Sequence, residues 1–382
     1  MKLCIFSALF LPHLGGVERF SYNMAKKLIS KGHEVIIVTS DLDSGKYYEK
    51  IEGIKIYRLV CWKLLDGRFP VVRYNKRNRE IFKRIKMEKI DGVIVNTRFY
   101  VHSYFGVSMA KNLKLPCIVI EHGTSHFTVN SKFFDMAGRI YEHFISWMIK
   151  RKCSNFYGVS LACNEWLKHF HIQSKGVVYN AIDIDEIQRL QKDSKVDYRK
   201  DYNVQDDEII ITFTGRLVRE KGIHKLLGAY QKIYSENQKV HLFVAGDGGL
   251  INDLKIYDEK RHIHILGKID FSRVIALLRS SEIFCLPTDY PEGFPTSVLE
   301  AAACKCFIIT TKMGGSKEII TSRDYGIILE ENSVEGIYTE LRELLKNKKR
   351  MKDTANRCYD RLIHNFTWDK TVEKIIDIFQ AF

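Results

Sequence analysis

Nothing in this sequence reads as a loose tether. Proline occurs 6 times in 382 residues, and no Gly/Ser-rich or Pro-rich tract marks a linker. Long apolar runs are also missing. None approaches the roughly 18 uninterrupted residues that read as a membrane-spanning helix, so no spanning segment is expected. No Cys-x-x-Cys pair and no zinc-like Cys/His spacing occurs, which argues against a zinc finger or a dithiol redox centre. No short internal repeat is visible, and no nucleic-acid-binding motif is recognisable.

What remains is ordinary in bulk and unusual in charge. Hydrophobic residues make up 45% and charged residues 28% of the chain, values of a soluble globular protein. A single core rarely grows past about 250–300 residues, so two domains are expected. The 9 cysteines are an odd number, and several sit in apolar runs, which reads as buried reduced thiols in a reducing compartment. The opening Met1-Lys2-Leu3-Cys4-Ile5-Phe6 could pass for a signal peptide. Pro12-His13 and Gly15-Gly16 break it early and no small-residue cleavage site follows, so a first strand and a cytoplasmic location are expected. The formal charge is +14. That excess favours anionic partners without choosing among nucleic acid, acidic lipid and phosphorylated ligands.

Short apolar runs alternate with helical patterns. Strands are expected at 3–7, 34–39, 54–59, 92–96, 117–121, 156–159 and 177–179, with helices between most of them. After the polar stretch 183–208, read as a boundary, the rhythm restarts with strands at 209–214, 240–245, 262–266, 282–286, 307–310 and 326–329. Two helical segments close the chain. A βαβ rhythm of this kind implies mainly parallel sheets covered on both faces. Such sheets bind ligands at the carboxyl ends of their strands, so the residues that follow each strand are the candidates.

After the first strand come Gly15-Gly16 and a helix start, which let backbone approach an anion; a plain tight turn explains them equally. After the fifth stands Glu121-His122-Gly123, where His122 is placed to meet a substrate hydroxyl or to assist charge development, although a lone His is more often structural. After 209–214 comes Gly215-Arg216-Leu217-Val218-Arg219-Glu220-Lys221-Gly222. An Arg fork and a mobile Lys suit a diphosphate whose charge grows as a bond breaks. The sharpest signal is Glu292-Gly293-Phe294-Pro295-Thr296-Ser297-Val298-Leu299-Glu300, a loop carboxylate and a helix carboxylate flanking a helix start near Pro295 or Thr296. The alternative there is two solvated glutamates. Gly314-Gly315 with Glu318, and 245–249, read alone as strand-to-helix turns.

Taken in order, these residues resemble the retaining glycosyltransferases of family 4, in the GT-B superfamily. The likeness rests on the Glu292…Glu300 spacing, Gly215-Arg216 with Lys221-Gly222, Asn180-Ala181-Ile182-Asp183, Gly314-Gly315 with Glu318, and Phe366-Thr367-Trp368. Gly15-Gly16 and His122-Gly123 match it more loosely. The resemblance implies two Rossmann-like doubly wound parallel-sheet domains facing a cleft. Residues 1–180 would bind acceptor, residues 181–365 would bind donor, and a helix at 366–382 would return to the first domain. It implies that Arg216 and Lys221 hold the donor diphosphate, that Glu292 meets sugar hydroxyls, and that Gly293, Phe294 and Pro295 lie against sugar and phosphate. Glu300 would take the ribose, Gly215 and Gly267 would lie near the nucleotide, Gly16 would approach the phosphates, and Gly15 and His122 would stand on the acceptor side. Pro295 and Ala181 stand where the family often has Gly, which bears on fine donor contacts.

The implied reaction moves a sugar from a nucleotide-sugar, by family frequency a UDP-sugar, to a hydroxyl of a glycan or lipid-linked saccharide, as in cell-surface polysaccharide synthesis. No carboxylate is an obvious covalent nucleophile. No cofactor and no metal is expected; Asp41-Leu42-Asp43 has a metal-site spelling in the wrong domain. The competing classes are an inactive scaffold of the same fold, a nucleotide-sugar epimerase of that fold, and a nucleic-acid binder. A peripheral position at the inner membrane face is also expected. The basic stretch from Arg73 to Lys89, interleaved with Ile81, Phe82, Ile85 and Met87, would supply charge. Phe133, Phe134, Met136, Ile140, Phe144, Trp147 and Met148 would supply an apolar surface. The bland reading is a solvated helix beside a core-facing one.

Overall fold

The computed structural model describes residues 1–382 apart from Leu14, Asp43, Ser44 and Asn130. They form two compact units, Met1–Asn180 with Trp368–Phe382, and Ala181–Thr367. Each is built around its own sheet.

The first unit runs β1 (Lys2–Phe6), α1 (Gly16–Ser30), β2 (Glu34–Asp41), β3 (Tyr48–Ile51), β4 (Ile54–Leu64) and β5 (Phe69–Val72). It continues with α2 (Lys76–Met87), β6 (Gly92–Asn96), α3 (Val101–Leu113), β7 (Cys117–Glu121), α4 (Lys132–Lys150), β8 (Phe156–Gly158), α5 (Leu161–Lys168) and β9 (Gly176–Val177). The parallel strands stand in the order β4-β2-β1-β6-β7-β8-β9. Counted along the chain that is 3-2-1-4 and onward, the doubly wound arrangement, with its reversal between β1 and β6. Every residue of β6 and β7 is buried, which is why they read as apolar runs up to their last residues, Asn96 and Glu121. Each such Val or Ile contributes roughly 1.5–3 kcal/mol against the entropy of ordering it. β3 and β5 pair with β4 antiparallel and are additions to the expected pattern. Their four-residue sequences, a half-exposed Tyr-Glu-Lys-Ile and a Pro-bearing Phe-Pro-Val-Val, carry no strand signal strong enough to read.

The second unit runs α6 (Ile184–Asp193), α7 (Tyr198–Asp201), β10 (Ile209–Thr214), a single 3-10 turn at Arg219–Lys221, α8 (Ile223–Glu236), β11 (Val240–Ala245), α9 (Ile251–Lys255) and β12 (Ile263–Gly267). Then come α10 (Phe271–Ser280), β13 (Ile283–Leu286), α11 (Thr296–Ala303), β14 (Phe307–Thr310), α12 (Ser316–Ile319), β15 (Ile327–Ile328), α13 (Val334–Leu345) and α14 (Lys348–Asn365). All six strands are parallel in the order β12-β11-β10-β13-β14-β15, again 3-2-1-4-5-6, with the reversal between β10 and β13. The polar stretch 183–208 is not a spacer. Asp183 caps α6 by accepting from the Glu186 amide at 3.0 Å, and Asp197 caps α7. These surface helices look polar because only Ile187 of α6 is buried.

The closing helix α15 (Trp368–Gln380) belongs to the first unit. Its buried stripe of Trp368, Val372, Ile375 and Phe379 lies on that unit's core. The Phe379 ring occupies the space beside Gly92, where a Cβ would come within 2.4 Å of it. Lys27 and Asp369 add an exposed ion pair at 2.7 Å, which contributes little by comparison. All nine cysteines are buried, and none is in a disulfide. Among the described residues no helix is long and apolar enough to cross a membrane.

Candidate active site

In the second unit, the loops leaving β10 and β13 meet at the reversal point of the sheet. Gly222 has φ +76°, and a Cβ there would lie 1.9 Å from the Pro287 carbonyl oxygen, so the two loops touch backbone to backbone. The Asp289 amide donates to the Glu220 carbonyl at 2.7 Å, and the Asp289 carboxylate receives Lys225 at 2.6 Å and Asn332 at 2.8 Å. This clamp brings side chains from both loops together. The Lys221 ammonium pairs with Glu292. Arg216 lies with its guanidinium 4.7 Å from the centre of the Tyr290 ring, and the Lys221 nitrogen 5.4 Å from it. Lys221 is buried and Arg216 exposed, so one cation is fixed and the other can reach outward.

The loop bearing Glu292 is set by a third one. Gly314, at φ +55°, packs on the Glu292 and Gly293 carbonyls, and the Gly315 amide donates to the Gly293 carbonyl at 3.1 Å. A Cβ on Gly315 would penetrate the Phe294 ring at 2.1 Å. Phe294 in turn stacks edge-on against Phe366, centroids 5.4 Å apart. Thus Gly314-Gly315 forms the seat of the Glu292 loop rather than a mere turn. Pro295 stands at the N-cap of α11 and brings no side-chain acceptor, which leaves that positive helix end suited to an anion. Glu300, in the second turn, is buried rather than solvated, as is Glu318. Gly293 lies on the loop itself; Gly215 begins the β10 loop. Gly267 stands apart at the end of β12, two strands along from β10.

In the first unit the site holds one carboxylate, Glu18, and no cation among its described lining residues. A cavity of about 170 Å³ at the ends of β1 and β6 is lined by Ser7, Glu18, Asn96, Tyr100, His122 and Gly123, among others. His122 Nε2 faces Asn96 Oδ1 at 3.1 Å, and the Asn96 Nδ2 group donates to Ser21 Oγ at 2.8 Å. With the amide so oriented, Nε2 carries the proton and Nδ1 the lone pair. The residue keeps some surface, but its ring lies edge-on to Phe20 at 4.7 Å, and burial pushes its pKa down to about 3. His122 is therefore a neutral acceptor, suited to a hydroxyl and unsuited to donate a proton to developing charge. Trp368 supports it from behind, 5.1 Å from Phe20.

Gly15 is the N-cap of α1 and Gly16 its first residue. Space around Gly16 is open, whereas a Cβ on Gly15 would meet the Glu18 carboxylate at 2.3 Å. Buried Glu18 already supplies negative charge at this helix end. Leu14 and Asp43 lie outside the described residues, so the 12–19 and 41–43 segments are only partly visible. Behind His122, Arg98 is buried between Glu121 at 2.8 Å and Glu142 at 2.9 Å. Glu121 also accepts from the amides of His122, at 3.1 Å, and Gly123, at 2.8 Å, which fixes the loop after β7.

The structure therefore gathers Arg216, Lys221 and Glu292 in one unit, and His122 and Gly123 with Asn96 in the other. Tyr290, Asn96 and Arg98 escaped the sequence reading, because a loop Tyr, a strand-end Asn and an Arg paired across 23 residues with Glu121 leave no periodic trace.

Comparison with known proteins agrees with this layout. The family profile described as "Glycosyltransferase Family 4" matches residues 14–186, and that described as "Glycosyl transferases group 1" matches residues 194–361. An uncharacterised glycosyltransferase of Methanocaldococcus jannaschii is 25% identical over 391 residues, 100% of this chain and 98% of its own. A component of the human phosphatidylinositol N-acetylglucosaminyltransferase is 24% identical over 392 residues, 98% of this chain and 74% of its own. Among solved structures, Anabaena HepE in complex with UDP has a TM-score of 0.75 at 14% identity, with 100% of both chains covered. That likeness shows the fold, GT-B, with two Rossmann-like units.

Proposed function

Since the chain belongs to the group 1 glycosyltransferases of family 4, we propose that it moves a sugar from a nucleotide-sugar, a UDP-sugar by preference, to a hydroxyl with retention of configuration. The observation that carries this reading is the Arg216–Lys221–Tyr290–Glu292 cluster at the reversal point of the second sheet. Binding of UDP by HepE supports the nucleotide. Lys221 and Arg216 stabilise the departing diphosphate, whose charge grows as the anomeric bond breaks. Glu292 accepts from a donor-sugar hydroxyl, Gly293, Phe294 and Pro295 present the loop to sugar and phosphate, and Glu300 accepts from the ribose. Gly215, Gly267 and Gly16 leave room for the nucleotide and its phosphates. In the first unit, Gly15 and His122 belong to the acceptor side, with the Nδ1 lone pair of His122 receiving a hydroxyl. Rate arises from alignment and leaving-group stabilisation, with no glycosyl-enzyme step. Nucleotide release from a panel of sugar donors, with and without acceptor, tests the reading. Release from no member of the panel would remove it.

The acceptor in this reading is a glycan or saccharide on a lipid carrier, met at an anionic membrane face. Phe133, Phe134, Met136, Ile140, Phe144 and Trp147 are exposed along one side of α4, while Glu142, Ile145, Ser146 and Ile149 are buried. Spacings of three and four along a helix make that exposed set a stripe. Two expectations change. Met148 packs against the core, and α2 turns Ile81, Phe82 and Ile85 toward it, leaving Met87 as the one interleaved apolar residue exposed among its basic residues. The likeness to part of a phosphatidylinositol N-acetylglucosaminyltransferase is consistent with a lipid-borne acceptor. Flotation with liposomes of graded anionic content decides: binding rises with anionic lipid and falls with salt. Equal partitioning onto neutral and anionic vesicles counts against it.

A further inference from the structure

Three histidines meet at the surface of the first unit, beside the Arg98–Glu142 ion pair. His126 lies in the loop after β7, His143 on α4, and His169 at the C-cap of α5. One ring nitrogen of each lies within 4.8 Å of the others, the sole cluster of this kind among the described residues. We propose that His126, His143 and His169 bind a divalent transition metal, zinc by ligand chemistry, as a structural clasp joining that loop to α4 and α5.

The geometry is prepared at two of the three ligands. His126 Nδ1 donates to Glu142 Oε2 at 3.1 Å, which directs its Nε2 lone pair outward at His169 Nε2, 3.2 Å away. Two nitrogens bound to one tetrahedral zinc at about 2.0–2.1 Å stand about 3.3–3.4 Å apart. The pair is thus already at ligand spacing. His169 is held by stacking on Trp166, centroids 4.9 Å apart and planes 7° from parallel. Before metal binds, His169 Nε2–H donates to His126; on binding, His169 moves its proton to Nδ1 and both Nε2 atoms coordinate. His143 is exposed and needs only a side-chain rotation to close the third position. A water completes four-coordination.

The outer partner is also in place. A carboxylate on the far nitrogen of a ligating His orients the ring and raises its basicity. Glu142 does this for His126 while its other oxygen accepts from the Phe127 amide at 2.9 Å. It supplies counter-charge near Arg98. Imidazole ligands suit zinc, copper and nickel over magnesium or calcium. Because Gly123 and His122 lie just before this loop, the clasp steadies the backbone that carries them.

Tag-free protein, stripped with EDTA and dialysed against micromolar zinc chloride, is the material for the test. Plasma mass spectrometry should give one zinc per chain, and cobalt(II) in its place should give the visible d–d bands of a four-coordinate site. H126Q and H169Q should each lose the stoichiometric metal, and H143Q should weaken uptake at least tenfold, while H364Q, far along the chain on α14, should match the wild type. Zinc should raise the melting temperature of the wild type and not of H126Q/H143Q/H169Q. Because His143 and His169 are exposed, these variants keep their fold in the metal-free state, which circular dichroism checks. Less than stoichiometric zinc in the wild type, or undiminished zinc in the triple variant, overturns the proposal.

Discussion

Between β10 and β13 the second unit gathers two cations, a carboxylate and an aromatic ring on loops clamped to each other. Between β1 and β6 the first unit offers hydroxyls, an amide and an imidazole kept neutral, with its ion pairs withdrawn beneath the loop. Both sheets wind in the same order, so topology places a crevice in each. The side chains then divide the chemistry. A crevice holding two cations suits a diphosphate, and one holding hydroxyls, a neutral imidazole and the Glu18 carboxylate suits a hydroxyl. Buried charge in the first unit is structural, whereas charge in the second stands where a ligand would come.

Arg98 breaks this contrast most severely. Replacing it with Ala leaves Glu121 and Glu142 without their shared cation, and loss of one partner of a buried pair costs about 3–5 kcal/mol. Urea unfolding should show that loss, with no counterpart in Lys221→Ala. Equal stability of the two variants would mean that the Arg98 triad is not what holds the first unit's loop.

Lys221→Ala should instead cost turnover. Removing one preorganised electrostatic contact lowers kcat by roughly 10²–10³-fold, and the protein should melt within a few degrees of the wild type. Glu292→Ala should behave alike, since Lys221 and Glu292 pair. Near-normal nucleotide release by either folded variant would move the donor chemistry elsewhere.

Acid tests the neutral imidazole of the first unit by a different route. His122 has its pKa lowered to about 3 by burial, against about 6.5 in the unfolded chain. Between those values the unfolded state binds a proton that the fold refuses. Stability is therefore full above about pH 6.5 and falls as pH drops toward 3. At pH 5 the loss from this residue is roughly 2 kcal/mol. His122→Gln should recover most of it, measured as the change in unfolding free energy between pH 7.5 and 5. An unchanged pH dependence in that variant would show that His122 is more solvated than its ring contacts imply.

How much of this was legible depends on where each signal lies along the chain. β10, β11, β13 and β14 are fully buried and mostly apolar because both faces are covered, broken only by Thr212, Thr214, His241 and Thr310, and such runs can be read directly. The edge strands β3 and β5 could not, since half the residues of β3 face water and the four-residue β5 carries Pro70. Arg216, Lys221 and Glu292 stood out as charged residues directly after strands. Tyr290 did not, because its partners come from a loop about 70 residues earlier and nothing local marks it. His126, His143 and His169 were silent for the same reason: metal-like spacing was sought along the sequence, while folding supplied it across three elements.

The smallest predicted effect concerns Asn96. Its side chain touches no charge, yet it decides which nitrogen of His122 holds the proton. Nδ2 donates to Ser21 Oγ, so Oδ1 is the atom offered to His122 Nε2. A neutral hydrogen bond of this kind is worth about 0.5–1.5 kcal/mol. Asn96→Leu should thus lower turnover by about 2- to 10-fold, a range set by that energy, mostly in kcat because the acceptor hydroxyl is less well directed. Asn96→Asp puts a carboxylate at the same place. It keeps an acceptor for Nε2–H and favours the imidazolium, so the pKa of His122 rises and an acid limb should enter the pH–rate profile that the wild type lacks. Nitrogen NMR of the His122 ring reads the tautomer without turnover: Nε2–H in the wild type, a mixture in Asn96→Leu. A wild-type ring protonated at Nδ1 would reverse the assignment, and with it the role of His122 as the hydroxyl's acceptor.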